Sequence, residues 1–309
     1  MEVNGHKVKF GVFLPQAGFQ FEALAERASL IEQLGYHSLW LVDHMWSPRA
    51  KDIDHLECLM SLCGLASRTQ RLRLGTLVLC NSFRNPALLA KMLSTLDHIS
   101  AGRLEVGLGA GWMAEEFEGY GYEFAPIGTR LKQLEESLRI LKSMFTESRT
   151  TFHGKFYKVT DAPNNPKPLQ KPHPPLTIGG SGEKVMLRLV ARYADRWNCP
   201  AGYRSFEQKL NALRAHCEAV GRDIRTLELS EQVLVCVRAT QAEVDQEWER
   251  VKNLKPFSFT AIKGTPPQVI ESIRERVGRG VSLFTIFFSD LASPETLKLF
   301  AHEVIPAFA

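Results

Sequence analysis

Short β-rich runs alternate with amphipathic stretches along most of the chain, and no other feature constrains the fold as strongly. Val8 to Leu14 ("VKFGVFL") reads as a strand. Phe21 to Leu34 then carries Leu24, Ala28, Ile31 and Leu34 at helical spacing before Gly35 ends it. The unit repeats. "SLWLV" at Ser38 precedes a helix near Leu56 to Ser67, "LRLGTLVLC" at Leu72 precedes one from Pro86 to Ile99, and "LEVGLG" at Leu104 precedes Gly128 to Phe145. Farther on, "PLTIGG" leads to a helix from Glu183, and a strand at Arg196 leads to a helix from Phe206 to Val220. "LELSEQVLVCVRA" leads to a helix from Ala242 to Val251, and "SLFTIFF" to one from Ser293 to Phe300. Pro266 to Val277 forms a further helix, with Thr265 as N-cap and Pro266 at its first position.

About eight apolar strands, each followed by a helix, fit a closed parallel barrel better than an open six-stranded sheet. The expected fold is therefore α/β, a TIM (β/α)8 barrel with insertions after strands four and five. A length of 309 residues suits one such barrel domain spanning 1–309. Residues from about 146 to 175 break the alternation, because "TTFHGKFYKV" is followed by six prolines between Pro163 and Pro175. Proline breaks both helices and central strands, so an inserted hairpin and surface loop is expected there. In a parallel barrel, functional residues belong at the C-terminal ends of the strands.

The charge balance narrows the partners. The net charge is only +4, with 38 Lys and Arg spread among 34 Asp and Glu, and no basic block marks a nucleic-acid arm or a membrane patch. The six cysteines show no CxxC spacing, which suits free thiols in a reducing compartment. Charged residues interrupt "MEVNGHKVKFGVFLP" before its apolar part, and no stretch approaches the length of a membrane span. A cytoplasmic protein acting on a small molecule is expected.

Three strand ends carry candidate chemistry. "LWLVDHMW" places Asp43, His44 and Trp46 after the second strand. A lone histidine is usually structural, but an Asp-His pair at a barrel strand end suits proton transfer, with His44 carrying the proton and Asp43 orienting it or meeting a ligand edge. A barrel hydrolase would want further histidines or carboxylates on other strand ends, and the first strand ends "FLPQ" without HxH, so no metal site is expected.

The fourth strand ends in "GLGAGW". Its glycines have the wrong spacing for a dinucleotide fingerprint, the next helix is not expected before about Gly128, and Glu135 lies within that helix. They either let the backbone approach something large and flat or permit a bend. After the fifth strand, "IGGSGEK" offers backbone N–H groups and Ser181 at a helix start, either a phosphate site or an ordinary turn capped by serine. Lys184, Arg188 and Arg192 recur at four-residue spacing beyond it, as a solvated stripe or an attraction for an anionic ligand.

Taken together, "VDH", the run from "LGTLVLCNSFRNPALLAKMLSTLDHISAGRLEVGLGAGWMAEEF", and "IGGSGEKVMLRLVARYADRWN" resemble the bacterial luciferase-like monooxygenase superfamily over nearly the whole sequence. "RNPA" followed by "TLDHISAGRLEVGLGAGW" and "GGSGEK" is more narrowly similar to the branch that uses the deazaflavin coenzyme F420 rather than FMN. The resemblance implies a TIM barrel that holds an isoalloxazine or deazaflavin ring across its C-terminal mouth, with the phosphate at Gly179, Gly180, Ser181 and Gly182. It implies a non-prolyl cis peptide between Leu77 and Val78 backing the ring, with Asp43, Asn81 and Glu115 also against the cofactor. Trp46 and Trp112 would face the substrate, and His44 would lie near the reactive ring carbon. The glycines of "GLGAGW" would leave room beside the ring.

In the family's sugar-phosphate dehydrogenases a catalytic glutamate stands where this chain has Trp112, which points to another substrate and proton relay. The implied activity is hydride transfer between F420 and a small organic substrate. The alternatives are an FMN-dependent monooxygenase and a non-catalytic flavin-binding barrel. Family members pair through barrel helices, so a homodimer is expected.

Overall fold

The structure is a computed structural model that describes residues 1–48, 50–199, 206–253 and 261–309. In chain order, a small ribbon of β1 (Glu2–Val3) and β2 (His6–Lys7) precedes β3 (Lys9–Phe13), α1 (Phe21–Gln33) and β4 (Ser38–Leu41). Next come α2 (Cys58–Arg68), β5 (Arg73–Thr76), β6 (Leu79–Cys80), α3 (Pro86–Ile99) and β7 (Leu104–Gly109). They are followed by α4 (Ala114–Gly119), α5 (Ile127–Thr146), β8 (Thr150–His153), β9 (Lys158–Ala162) and β10 (Leu176–Gly179). The remainder holds α6 (Met186–Tyr193), β11 (Arg196–Cys199), α7 (Phe206–Ala219), β12 (Glu228–Val237) and α8 (Gln241–Val251). β13 (Ile262–Gly264), α9 (Pro266–Gly278), β14 (Val281–Phe288) and α10 (Pro294–Glu303) complete it.

These elements fall into two compact units. The first comprises Met1–Pro15, Glu26–Trp40 and Gly179–Ala309; the second comprises Gln16–Ala25 and Leu41–Ile178.

In the first unit, β11, β12, β14, β3 and β4 pair in that order, all parallel, and β13 lies beside β12. Every residue of β14, "VSLFTIFF", is buried, as expected of a parallel strand covered on both faces. Phe10 stacks on Phe284 with ring centroids 5.7 Å apart and meets Phe300 edge-on at 5.4 Å, and Trp40, Trp197, Phe287, Phe288 and Phe300 are fully buried. Helix α9 starts with the expected Thr265 and Pro266, and Gln268 completes a capping box.

In the second unit, β7 pairs in parallel with β5, β6 and β10. Arg103, buried at the start of β7, donates to the carbonyls of Ala66, Thr69 and Leu72, which ties the end of α2 to the sheet. Helix α3 spans the expected residues because the Asn85 side chain accepts from the Ala87 N–H and Pro86 occupies the first turn.

The interruption at 146–175 is the expected hairpin, β8 paired antiparallel with β9. Its turn is held by one side chain: the Glu136 carboxylate accepts from the N–H groups of Lys155, Phe156 and Tyr157.

Two expectations need correction. A short helix, α4, begins only a few residues beyond the glycines of "GLGAGW", well before Gly128. Helix α6 begins at Met186 rather than Glu183, so Lys184 lies outside its face and Ser181 is not its cap.

Candidate active site

The second unit holds Asp43, His44 and Trp46 together with the segments that follow β6 and β7. β4 delivers Asp43 and His44 into the loop that follows it. The peptide bond between Leu77 and Val78 is cis, where the resemblance puts it, and the Leu77 N–H donates to the Leu41 carbonyl at 2.8 Å.

Asp43 does not orient His44. Arg84 Nη1 and Nη2 donate to Asp43 Oδ2 and Oδ1 at 2.7 and 2.8 Å, and the Cys80 N–H donates to Oδ2 at 2.8 Å. Arg84 also donates to Glu57 at 2.6 Å. Burial works against the Arg84 charge, but the two carboxylates outweigh it and raise the guanidinium above its ordinary pKa. Asp43 is thus the anchor of the loop, held by a fork that matches a carboxylate.

The partner of His44 is Glu116. His44 Nδ1 lies 3.0 Å from Glu116 Oε2, and the Met45 N–H donates to Glu116 Oε1. The Glu116 side chain is only 2% exposed. It sits on α4, whose short length leaves no helical periodicity to read, so the nearest signal in the sequence is the "EEF" just after the glycines. Among the described residues, His44 Nε2 has no hydrogen-bond partner.

The aromatic residues form the rim. The Trp112 ring meets His44 edge-on at 5.6 Å and is 67% exposed. Trp46 lies 5.6 Å from Tyr120 and carries Lys51 over its ring at 5.0 Å. Glu115 points to solvent and pairs with Lys51 at 3.1 Å, an exposed contact of small energetic worth. Buried Asn81 donates to the Tyr157 hydroxyl at 3.4 Å, which brings the inserted hairpin onto it.

A second imidazole, His55, lies between β4 and α2, where no pattern in the sequence marks it. Among the described residues, neither of its ring nitrogens has a hydrogen-bond partner. Burial lowers its pKa, His44 lowers it further, and Glu116 partly opposes them.

Two glycines of "GLGAGW" have reasons inside the protein. A Cβ on Gly107 would lie 2.1 Å from the Thr76 carbonyl oxygen. One on Gly111, at φ +74°, would lie 2.7 Å from Cys80 Sγ and 2.8 Å from the Phe117 ring. Strand and loop pack directly on them, so at these positions the missing side chains make room for protein.

The "GGSGEK" turn belongs to the first unit. Trp197 Nε1 donates to the Gly180 carbonyl at 2.7 Å, and Gly180 has φ +137°. The Gly180 N–H donates to the Asn198 carbonyl, whereas the N–H groups of Ser181 and Gly182 have no partner among the described residues. Glu183 beside them accepts from Gln208 and Lys209. Among the described residues, no group of three or more His, Cys, Asp or Glu could hold a metal ion, and no helix is long and apolar enough to cross a membrane.

Residues 8–258 match the model of the luciferase-like monooxygenase family. The chain belongs to that family. Among its relatives, an F420-dependent glucose-6-phosphate dehydrogenase of Kineococcus radiotolerans is 29% identical over 84% of this chain and 77% of that protein. An FMNH2-dependent dimethylsulfone monooxygenase of Pseudomonas putida is 31% identical over 78% of this chain and 76% of that protein. The luciferase-like family thus holds oxidoreductases dependent on F420 and on FMN.

A solved F420-dependent secondary alcohol dehydrogenase, in complex with an F420-acetone adduct, superposes with a TM-score of 0.83. The superposition covers 98% of this chain and 99% of that one at 20% identity. That likeness establishes the fold of this luciferase-like chain as the TIM (β/α)8 barrel.

Proposed function

We propose that the chain is an oxidoreductase that moves a hydride between the deazaflavin coenzyme F420 and a small organic substrate, with His44 handling the accompanying proton. The observation that carries this reading is the His44 imidazole, fixed through Nδ1 while Nε2 has no partner among the described residues. When bound, F420 supplies a two-electron carrier that gives or accepts hydride. For an alcohol substrate, His44 Nε2 takes the hydroxyl proton as the carbon loses hydride; in the opposite direction it returns that proton to the carbonyl oxygen.

The residues present suit such a cofactor. Among the described residues the N–H groups of Ser181 and Gly182 have no hydrogen-bond partner and would suit a phosphate. Trp46 and Trp112 line the substrate side. The relationship to an FMNH2-dependent monooxygenase supports a second reading, FMN-dependent oxygen chemistry at the same site. We further propose a homodimer through α2 and α3, which expose Met60 and Leu88; light scattering at micromolar concentration is then expected to return twice the chain mass.

Titration of the purified protein with each cofactor tests the choice. F420 is expected to bind about tenfold or more tighter than FMN, a difference of about 1.4 kcal/mol. Equal or reversed affinities would overturn it.

A further inference from the structure

We propose that Glu116 is the positioning residue of His44, holding the imidazole in the tautomer that leaves Nε2 as a proton acceptor; this rests on the reading of His44 as the proton-handling group. The geometry is directional. An ionised carboxylate has only lone pairs to offer, so the 3.0 Å contact to His44 Nδ1 requires the hydrogen on Nδ1. In the neutral ring that leaves the lone pair on Nε2, the form able to accept a substrate proton.

Glu116 is itself held in place. Its second oxygen accepts from the Met45 N–H, so a single buried carboxylate grips two successive residues of the loop after β4. Both oxygens are therefore engaged, and the nearby His55 ring has no hydrogen bond to either. Trp112 meets the His44 ring only by its edge, at 5.6 Å, and offers it no hydrogen bond. Among the described residues, the tautomer is decided by Glu116 alone.

The amide isostere exposes this role. In Glu116→Gln, the amide oxygen that stays with the Met45 N–H turns the NH2 toward His44 Nδ1. That nitrogen must then accept, which moves the hydrogen to Nε2. The opposite amide orientation faces the NH2 against the Met45 N–H, donor to donor. Glu116→Asp keeps a carboxylate and restores the requirement for Nδ1–H.

The test combines two readouts on the F420-loaded protein. The first is the two-bond 1H–15N correlation spectrum of 15N-histidine-labelled protein, recorded where the ring is neutral, with His44 assigned by its loss in His44→Ala. The second is the single-turnover rate. Wild type is expected to show Nδ1–H. Glu116→Gln is expected to shift His44 toward Nε2–H and to lose about 10²- to 10⁴-fold in rate with F420 affinity kept, and Glu116→Asp to recover the tautomer and most of the rate.

An Nε2–H tautomer in wild type would overturn the proposal, and that measurement needs no variant to fold. So would a Glu116→Gln protein that keeps Nδ1–H, or one that changes tautomer without losing rate. A full rate in His44→Ala would instead overturn the proton role of His44, while the wild-type spectrum would still decide what Glu116 does to the ring.

Discussion

Both oxygens of the Asp43 carboxylate are engaged by the guanidinium of Arg84, at 2.7 and 2.8 Å, with Asp43 buried and the Arg84 side chain 12% exposed. The pair fastens the loop that carries His44 to the segment after the Leu77–Val78 bond. Asp43→Ala leaves the guanidinium, among the described residues, with Glu57 alone and strips the Cys80 N–H of its acceptor, at an expected cost of about 3 kcal/mol. Urea unfolding measures it. A variant as stable as wild type would show that Asp43 serves a ligand instead of the loop.

His44→Ala removes the group proposed to move the proton without touching the Asp43–Arg84 anchor. Single-turnover hydride transfer is expected to fall by roughly 10² to 10⁴, with F420 affinity nearly unchanged. A lowered melting temperature with full rate per folded molecule would assign His44 a structural role.

Glu228 predicts a pH-dependent stability. Burial alone would raise its carboxyl, but Arg196 at 2.6 Å and Lys9 at 2.5 Å outweigh that and hold it at about 2. A carboxylate depressed in the folded state stabilises it above the unfolded pKa, and the contribution is lost as pH falls from about 4.5 toward 2. The shift corresponds to about 3 kcal/mol at neutral pH. Glu228→Gln should therefore unfold at lower urea than wild type at pH 7, and the gap should close near pH 2. A gap that persists in acid would count against the ion pair as its cause.

The cysteines should be chemically quiet. Burial pushes the Cys80 and Cys199 thiols up to about 12, so neither is a thiolate at neutral pH. A thiol reagent is expected to leave both untouched in the native protein and to titrate all six cysteines after unfolding. Rapid native modification of Cys80, identified by peptide mass, would show that the segment beside the Leu77–Val78 bond opens.

The sequence by itself determined the alternation of strands and helices, the hairpin inserted at 146–175 and the ends of α3. Each depends on neighbours in the chain: apolar period, an Asn85 cap before Pro86, a proline-rich run. It also placed His44 at a strand end. Helix α4 is not legible there because six residues are too few to show a period, and the start of α6 is not because a turn carries "GEK" before the helix begins.

Only the tertiary structure decided which side chain orients His44. Asp43 is adjacent in sequence, yet it faces Arg84, while Glu116, 72 residues away, reaches the imidazole from helix α4 beyond β7. A parallel barrel brings strand ends together from distant parts of the chain, and local pattern carries no record of which side chains meet there.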